Sequence, residues 1–182
     1  MNLTDNPFTK INTKEVYDNP WISVREDQIL KPNGSEGIYG VVHFKNLAIG
    51  IIPIDQDGFT YLVGQYRYTL NEYFWEIVEG GGPIGIDPIE SAKRELKEET
   101  GFSAAKWTKI STLHTSNSVT DEVSYIYMAE DLTEGDTEFE DTEVLQIRKV
   151  HISEAVKMVM NDEITDAISI AGILKVAKIL NI

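Results

Sequence analysis

Apolar and polar residues alternate along Trp21–Leu30 (WISVREDQIL), and Ile38–Phe44 (IYGVVHF) is rich in β-branched and aromatic residues. Both stretches predict strands, because successive side chains on a pleated backbone face opposite sides. KPNGSEG between them reads as a turn, so residues 14–45 form short strands separated by turns. Farther on, LAIGIIPID and TYLVGQYRY flank DQDG, a strong hairpin signal. EYFWEIVE predicts another strand, closed by Gly80, Gly81 and Gly82. The period then changes. Ile89, Ala92 and Leu96 recur at helical spacing, with Asp87 placed to cap, Pro88 at the first helical position and Glu90 forming a capping-box-like pair with Asp87. This helix runs to about Thr100, where Gly101 suits a left-handed terminating residue. Strands follow at about 107–114 and 123–130, then an acidic stretch, EDLTEGDTEFEDTE, and a strand, VLQIRKVHI. Ser153 is placed to cap a short helix and Asp166 a last amphipathic one, AISIAGILKVAKIL. The order predicts a mixed α/β fold without repeats.

The 182 residues suffice for one domain with a proper core. The composition, 42% apolar and 25% charged, is that of a globular chain. Sixteen basic against thirty acidic residues leave a net charge of −14, which disfavours nucleic-acid phosphates and anionic lipid as partners. Without cysteine there are no disulfides, thiolate metal sites or cysteine nucleophiles. The polar N-terminus lacks a signal-peptide core, and the longest apolar run, NLAIGIIPI, is too short to cross a bilayer. A cytoplasmic protein is therefore expected, with neither membrane nor nucleic acid as a partner.

Charge becomes informative in one place. Within RELKEETGF, Glu95, Glu98 and Glu99 fall on an arc of about 100° of one helix face. Like charges at such spacings destabilise a helix by a few tenths of a kcal/mol per pair, and they lie near the end where the helix dipole disfavours anions. Two readings fit: an acidic solvated face, or a platform on which a hard divalent cation, Mg²⁺ or Mn²⁺, meets a diphosphate. Glycines ahead of the helix favour the second, since they admit close approach of backbone to a ligand.

GGGPIGIDPIESAKRELKEETGF resembles the Nudix box, G-x5-E-x7-R-E-U-x-E-E-x-G-U with U apolar. Gly80, Arg94, Glu95, Leu96, Glu98, Glu99, Gly101 and Phe102 match, whereas Ile86 stands at the first glutamate of the pattern. The resemblance implies an α/β/α sandwich around a mixed sheet and metal-assisted hydrolysis of a nucleoside diphosphate linked to another moiety. It implies Glu95 and Glu99 as metal ligands with the backbone carbonyl of Glu79, and Glu98 as a further ligand or as the group that orients water. It makes Arg94 the residue that holds the glutamates.

GQYRYTLNEYFWEIVEGG is similar to a segment of the nucleotide-sugar subclass of that family. This implies Arg67 on the diphosphate and Glu76 near substrate, with Trp75 in the core. In that subclass the N-terminal strands, residues 1–45 here, pair with a second subunit and complete its site, next to a hydrolase domain spanning 46–182. Trp21 and Tyr39 then match aromatic positions that sandwich the base. TSNSVTDE keeps Ser116, Asp121 and Glu122 of a substrate-binding pattern but has Asn117 in place of a proline associated with ADP-ribose preference. FEDTEVLQI resembles the loop that supplies a carboxylate from outside the box, with Glu143 as the general base and Asp141 and Glu140 close by. The expectation is a homodimeric, Mg²⁺-dependent hydrolase (Mn²⁺ as a substitute) that splits ADP-ribose, GDP-mannose or ADP-glucose into a nucleoside monophosphate and a sugar phosphate. The alternative is a non-catalytic Nudix-like module that binds a nucleotide sugar or regulates a partner.

Overall fold

A computed structural model describes residues 4–137 and 144–182, which group into two compact units. The first is a three-stranded antiparallel sheet in the order β1 (Thr9–Asp18), β2 (Ile22–Leu30), β3 (Glu36–Phe44). The turn between β2 and β3 closes through Gly34 N–H donating to the Lys31 carbonyl at 2.8 Å. β1 begins five residues before the expected strand region and is exposed along its whole length, including Ile11, Val16 and Tyr17. Its polar-rich alternation gave no sign of a buried face, which is why its start was not legible.

Residues Ser116–Glu122 belong to this unit rather than to the remainder of the chain. The Val42 N–H donates to the Val119 carbonyl at 2.9 Å, Asp121 N–H to the Val42 carbonyl at 3.2 Å, and the Tyr39 hydroxyl to the Ser118 carbonyl at 3.0 Å. Asp121 accepts from Phe44 N–H at 3.1 Å and lies 2.7 Å from His43 Nδ1, contacts that hold its carboxyl below the usual range against the opposing effect of partial burial. The later segment thus forms a short parallel bridge beside β3, with Val42 opposite Thr120.

The second unit holds two sheets. β7 (Val78–Pro83), β4 (Asn46–Pro53), β9 (Ser124–Thr133) and β8 (Ser103–Leu113) form a mixed sheet in that order, with β4 parallel to β9 and β8 antiparallel to it. β10 (Gln146–His151), β5 (Phe59–Arg67) and β6 (Glu72–Glu76) form an antiparallel one. Alternation along β4 divides the core. Ile49 and Ile51 pack with Ala92 and Leu96 of α1 (Pro88–Thr100), while Ile52 packs with Ile168, Ile173 and Val176 of α3 (Ala167–Leu180) and with α2 (Ile152–Met160). Helices on both faces of the mixed sheet give the expected α/β/α layering, and each fully buried Ile or Leu contributes roughly 1.5–3 kcal/mol.

Four local expectations change. EYFWEIVE is not one strand: it breaks at Ile77, where the chain leaves the β5–β6 sheet and enters the mixed sheet as β7. The triple glycine does not end a strand either, since β7 runs through it to Pro83. Asp87 caps α1 by accepting from Ile89 N–H at 3.2 Å, but the Glu90 carboxylate pairs with Lys93 at 2.8 Å instead of reaching back to Asp87. α2 is capped by His151, whose Nδ1 accepts from Ser153 N–H, so the helix starts ahead of Ser153.

Gly101 ends α1 at φ +77°, and a Cβ there would also overlap the Gly135 carbonyl. Gly101→Ala is expected to cost about 1–3 kcal/mol through left-handed strain and this collision, read as a lowered midpoint in urea unfolding.

Candidate active site

The site is built where β7 meets α1. Packing Ala92 and Leu96 against the sheet carries Glu95 and Glu99 inward with them, to 8% and 3% exposure, while Glu98 stays nearer solvent. Buried carboxylates are costly unless a cation or hydrogen bonds compensate. Arg94 supplies part of this: Nη2 lies 2.7 Å from Glu95 Oε1 and donates to the Gly81 carbonyl at 2.9 Å, while Nη1 reaches Glu98 Oε2 at 3.0 Å. One guanidinium therefore joins two glutamates of the helix to the glycine strand. Lys93 and Lys97 are turned elsewhere, Lys97 to the carbonyls of Gly101 and Asp136. Gly80 is required by proximity, for a Cβ there would overlap the Glu95 carboxyl. The Glu79–Gly80 peptide consequently lies against Glu95.

Arg67 closes a neighbouring cluster. Its Nε donates to both Glu76 oxygens at 3.0 Å, and Nη2 stands 3.7 Å from Glu79 Oε2. Glu76 is 4% exposed and also accepts from Gln65 Nε2 at 3.2 Å. Arg67 ends β5, and Glu76 is the residue that orients it. Trp75 points to the opposite face of the sheet, against the α2–α3 core.

Sequence reasoning missed Asp166 and Ser169 beside Glu79. The Glu79 side chain is only 10% exposed, and Ser169 Oγ donates to its Oε1 at 2.9 Å. Burial first, and the facing Asp166 carboxylate second, push the Glu79 carboxyl well above the ordinary glutamate range. In sequence, Asp166 and Ser169 carry only the signature of a helix start.

The remaining expected site residues fall as follows. Trp21 and Tyr39 belong to the first unit and are 67% and 40% exposed. They stand six residues apart along β2, about 20 Å, since Trp21 is bonded opposite Lys45 and Tyr39 pairs with Asp27. One chain therefore cannot place both on the two faces of a single base. Ser116 turns the chain through its carbonyl, which accepts from Val119 and Thr120 N–H. Ile86, at the divergent box position, is exposed. Glu140, Asp141 and Glu143 lie outside the described residues.

Among the described residues no three acidic or histidine side chains converge as a closed metal cage. The donors fit a hard divalent cation nonetheless: Mg²⁺ is held by one or two carboxylates plus phosphate oxygens and water, not by an all-protein cage. Glu95 and Glu99 with the adjacent Glu79 carbonyl are oxygen donors of that kind.

The Nudix domain model matches residues 44–169, well over half of the chain, and a nucleoside diphosphate sugar hydrolase N-terminal domain model matches residues 8–42. The chain belongs to the Nudix family. It is a Nudix hydrolase, and curated relatives agree. The ADP-ribose pyrophosphatase of Mycobacterium tuberculosis is 32% identical over 178 residues, covering 96% of this chain and 85% of that protein. The ADP-ribose pyrophosphatase of Bacillus subtilis is 30% identical over 159 residues, covering 86% and 85%. A solved structure described as an ADP compounds hydrolase superposes with a TM-score of 0.86 over 96% of this chain and 94% of its own, at 23% identity, and shows the same Nudix fold. Among the described residues no helix is long and apolar enough to cross a membrane.

A pH test isolates the Glu79 carboxyl. Its folded value is raised, so its protonated form contributes stability that is present at acid pH and lost as pH rises from the ordinary glutamate range through the raised one. Glu79→Gln keeps the shape and has no proton to lose. Melting curves without metal between pH 4 and 8 should show the wild type falling relative to this variant as pH increases; parallel curves would contradict the assignment.

Proposed function

We propose that this Nudix hydrolase is a divalent-cation-dependent pyrophosphatase of nucleoside diphosphate sugars, with ADP-ribose as the foremost substrate. The observation that carries the reading is the burial of Glu95 and Glu99 on the face of α1 that abuts Gly80, with Arg94 tied to the same strand. Two similar proteins named ADP-ribose pyrophosphatase and the match of the N-terminal strands to a nucleoside diphosphate sugar hydrolase domain support the substrate class.

Mg²⁺ or Mn²⁺ would be held by Glu95, Glu99 and the Glu79 carbonyl, with Glu98 as a further ligand, and would supply charge neutralisation at the diphosphate. Arg94 keeps the carboxylates aimed and stops them from splaying apart under mutual repulsion. Arg67, fixed on one edge by Glu76, offers its other edge to phosphate oxygens. Glu76 therefore serves substrate binding through Arg67. Water adds to one phosphorus as the bridging oxygen leaves, giving a nucleoside monophosphate and a sugar phosphate. Glu143 is assigned as base on its sequence pattern alone, with Asp141 close by in sequence, and Ser116 is assigned to substrate binding on the same ground.

The chain is also proposed to act as a homodimer. β1 exposes Ile11, Val16 and Tyr17, and Ile38 on β3 is 67% exposed, apolar side chains that a second subunit would cover. Trp21 of one subunit and Tyr39 of the other could then take the two faces of one base, which their spacing within a chain prevents.

Incubation with Mg²⁺ and ADP-ribose, GDP-mannose or ADP-glucose should release nucleoside monophosphate, fastest from ADP-ribose. Absence of turnover with either Mg²⁺ or Mn²⁺ would favour a non-catalytic nucleotide-sugar binder. Glu99→Gln should lower kcat by roughly 10²-fold or more through loss of a metal ligand. Sedimentation equilibrium should give twice the chain mass of 20.5 kDa, and a monomer at micromolar concentration would remove the shared base site.

A further inference from the structure

Ile77 is the one residue between β6 and β7, where the chain passes from one sheet to the other. Its N–H joins neither ladder and donates instead to Ser169 Oγ at 3.0 Å. The same oxygen donates its own hydrogen to Glu79 Oε1 at 2.9 Å. One hydroxyl thus fastens both ends of Ile77–Glu79 to the first turn of α3. Ser169 is fully buried, and its own N–H is held by the Asp166 carboxylate at 2.7 Å, so its place is fixed by the helix cap. On the other side, the absence of a Cβ on Gly80 lets the Glu95 carboxyl rest against the next peptide. The crossing is therefore held by Ser169 at the Ile77 N–H and at the Glu79 side chain, with the Glu95 carboxyl against Gly80 on its other side, and Arg67 takes its orientation from Glu76 and Glu79 at the two ends of the same crossing.

We propose that Ser169 is a positioning residue for catalysis: by clamping Ile77 and Glu79 it sets the direction of the Glu79 carbonyl toward the cation and the reach of Arg67 toward the diphosphate. This rests on the reading of Glu79, Glu95 and Glu99 as the metal-holding group. Backbone carbonyls cannot adjust by side-chain rotation, so a ligand of that kind depends on whatever holds its peptide. Removal of the hydroxyl frees the crossing at both ends and leaves the Ile77 N–H buried without an acceptor.

The experiment measures Mn²⁺ binding by electron paramagnetic resonance, without substrate, in the wild type, Ser169→Ala, Ser169→Cys, Ser124→Ala and Glu99→Gln. Ser124 is an equally buried serine on β9 whose hydroxyl has no hydrogen-bond partner among the described residues, and it controls for loss of a buried hydroxyl as such. Ser169→Ala should weaken Mn²⁺ binding about ten-fold, the scale of losing a group that orients a metal ligand. The Mn²⁺ concentration for half-maximal ADP-ribose hydrolysis should rise in parallel, with kcat at saturating Mn²⁺ changed far less. Ser169→Cys, with a weaker donor of similar size, should fall between, and it carries the test if the alanine variant does not fold. Ser124→Ala should bind as the wild type does. Lower melting temperatures with unchanged Mn²⁺ affinity in the Ser169 variants would overturn the proposal and leave the serine a structural pin. Unchanged affinity in Glu99→Gln would instead overturn the metal reading beneath it.

Discussion

One guanidinium sets the terms for everything around it. Arg94 binds the carboxylates of Glu95 and Glu98 and a carbonyl of the facing strand, so the clustered anions Glu95, Glu98 and Glu99 can share one turn and still lie against β7. Pairs of exposed charges contribute at most about 1 kcal/mol. Arg94 gains its importance elsewhere, because Glu95 and Glu99 are carried into the protein by the same stripe that buries Ala92 and Leu96. Helix packing and charge placement are thus a single arrangement: the core cannot form without bringing the carboxylates to the glycine strand.

The second constraint is the passage between sheets at Ile77. A chain that continued straight through EYFWEIVE would keep Glu79 in the β5–β6 ladder and away from α1. The break brings Glu76 and Glu79, three residues apart, to the same arginine while they stand in different sheets. Unpaired backbone at such a crossing needs an acceptor, and α3 provides it from 92 residues later in the chain. The site therefore depends on the last helix, which contributes no group to the front of it.

Legibility in the sequence followed the range of the interactions. α1 was readable to its ends because its signals are local: Asp87, Pro88, the apolar stripe and Gly101. The glutamate face and Arg94 were readable for the same reason. The β6–β7 break was not, because Ile77 reads as one more β-branched residue of a continuous strand, and the switch is decided by where Ser169 and Glu95 stand in space. Glu90 went to Lys93 since an exposed opposite charge one turn away outcompetes a neutral N–H. Ser153 lost its capping position to His151, whose ring nitrogen served as acceptor where a hydroxyl was expected. The acidic partner of Glu79 was hidden for another reason: Asp166 was already explained as a helix cap, and its second role required the fold.

The membership of Ser116–Glu122 in the N-terminal unit has a bearing on modular exchange. By domain boundaries alone, the strands up to Asn46 look like a cassette that could be grafted between relatives. Yet Val42, Tyr39, His43 and Phe44 all take partners from the later segment. A chimera that moves only the leading strands would leave those partners mismatched, so the transferable piece is discontinuous, two stretches of chain that must travel together.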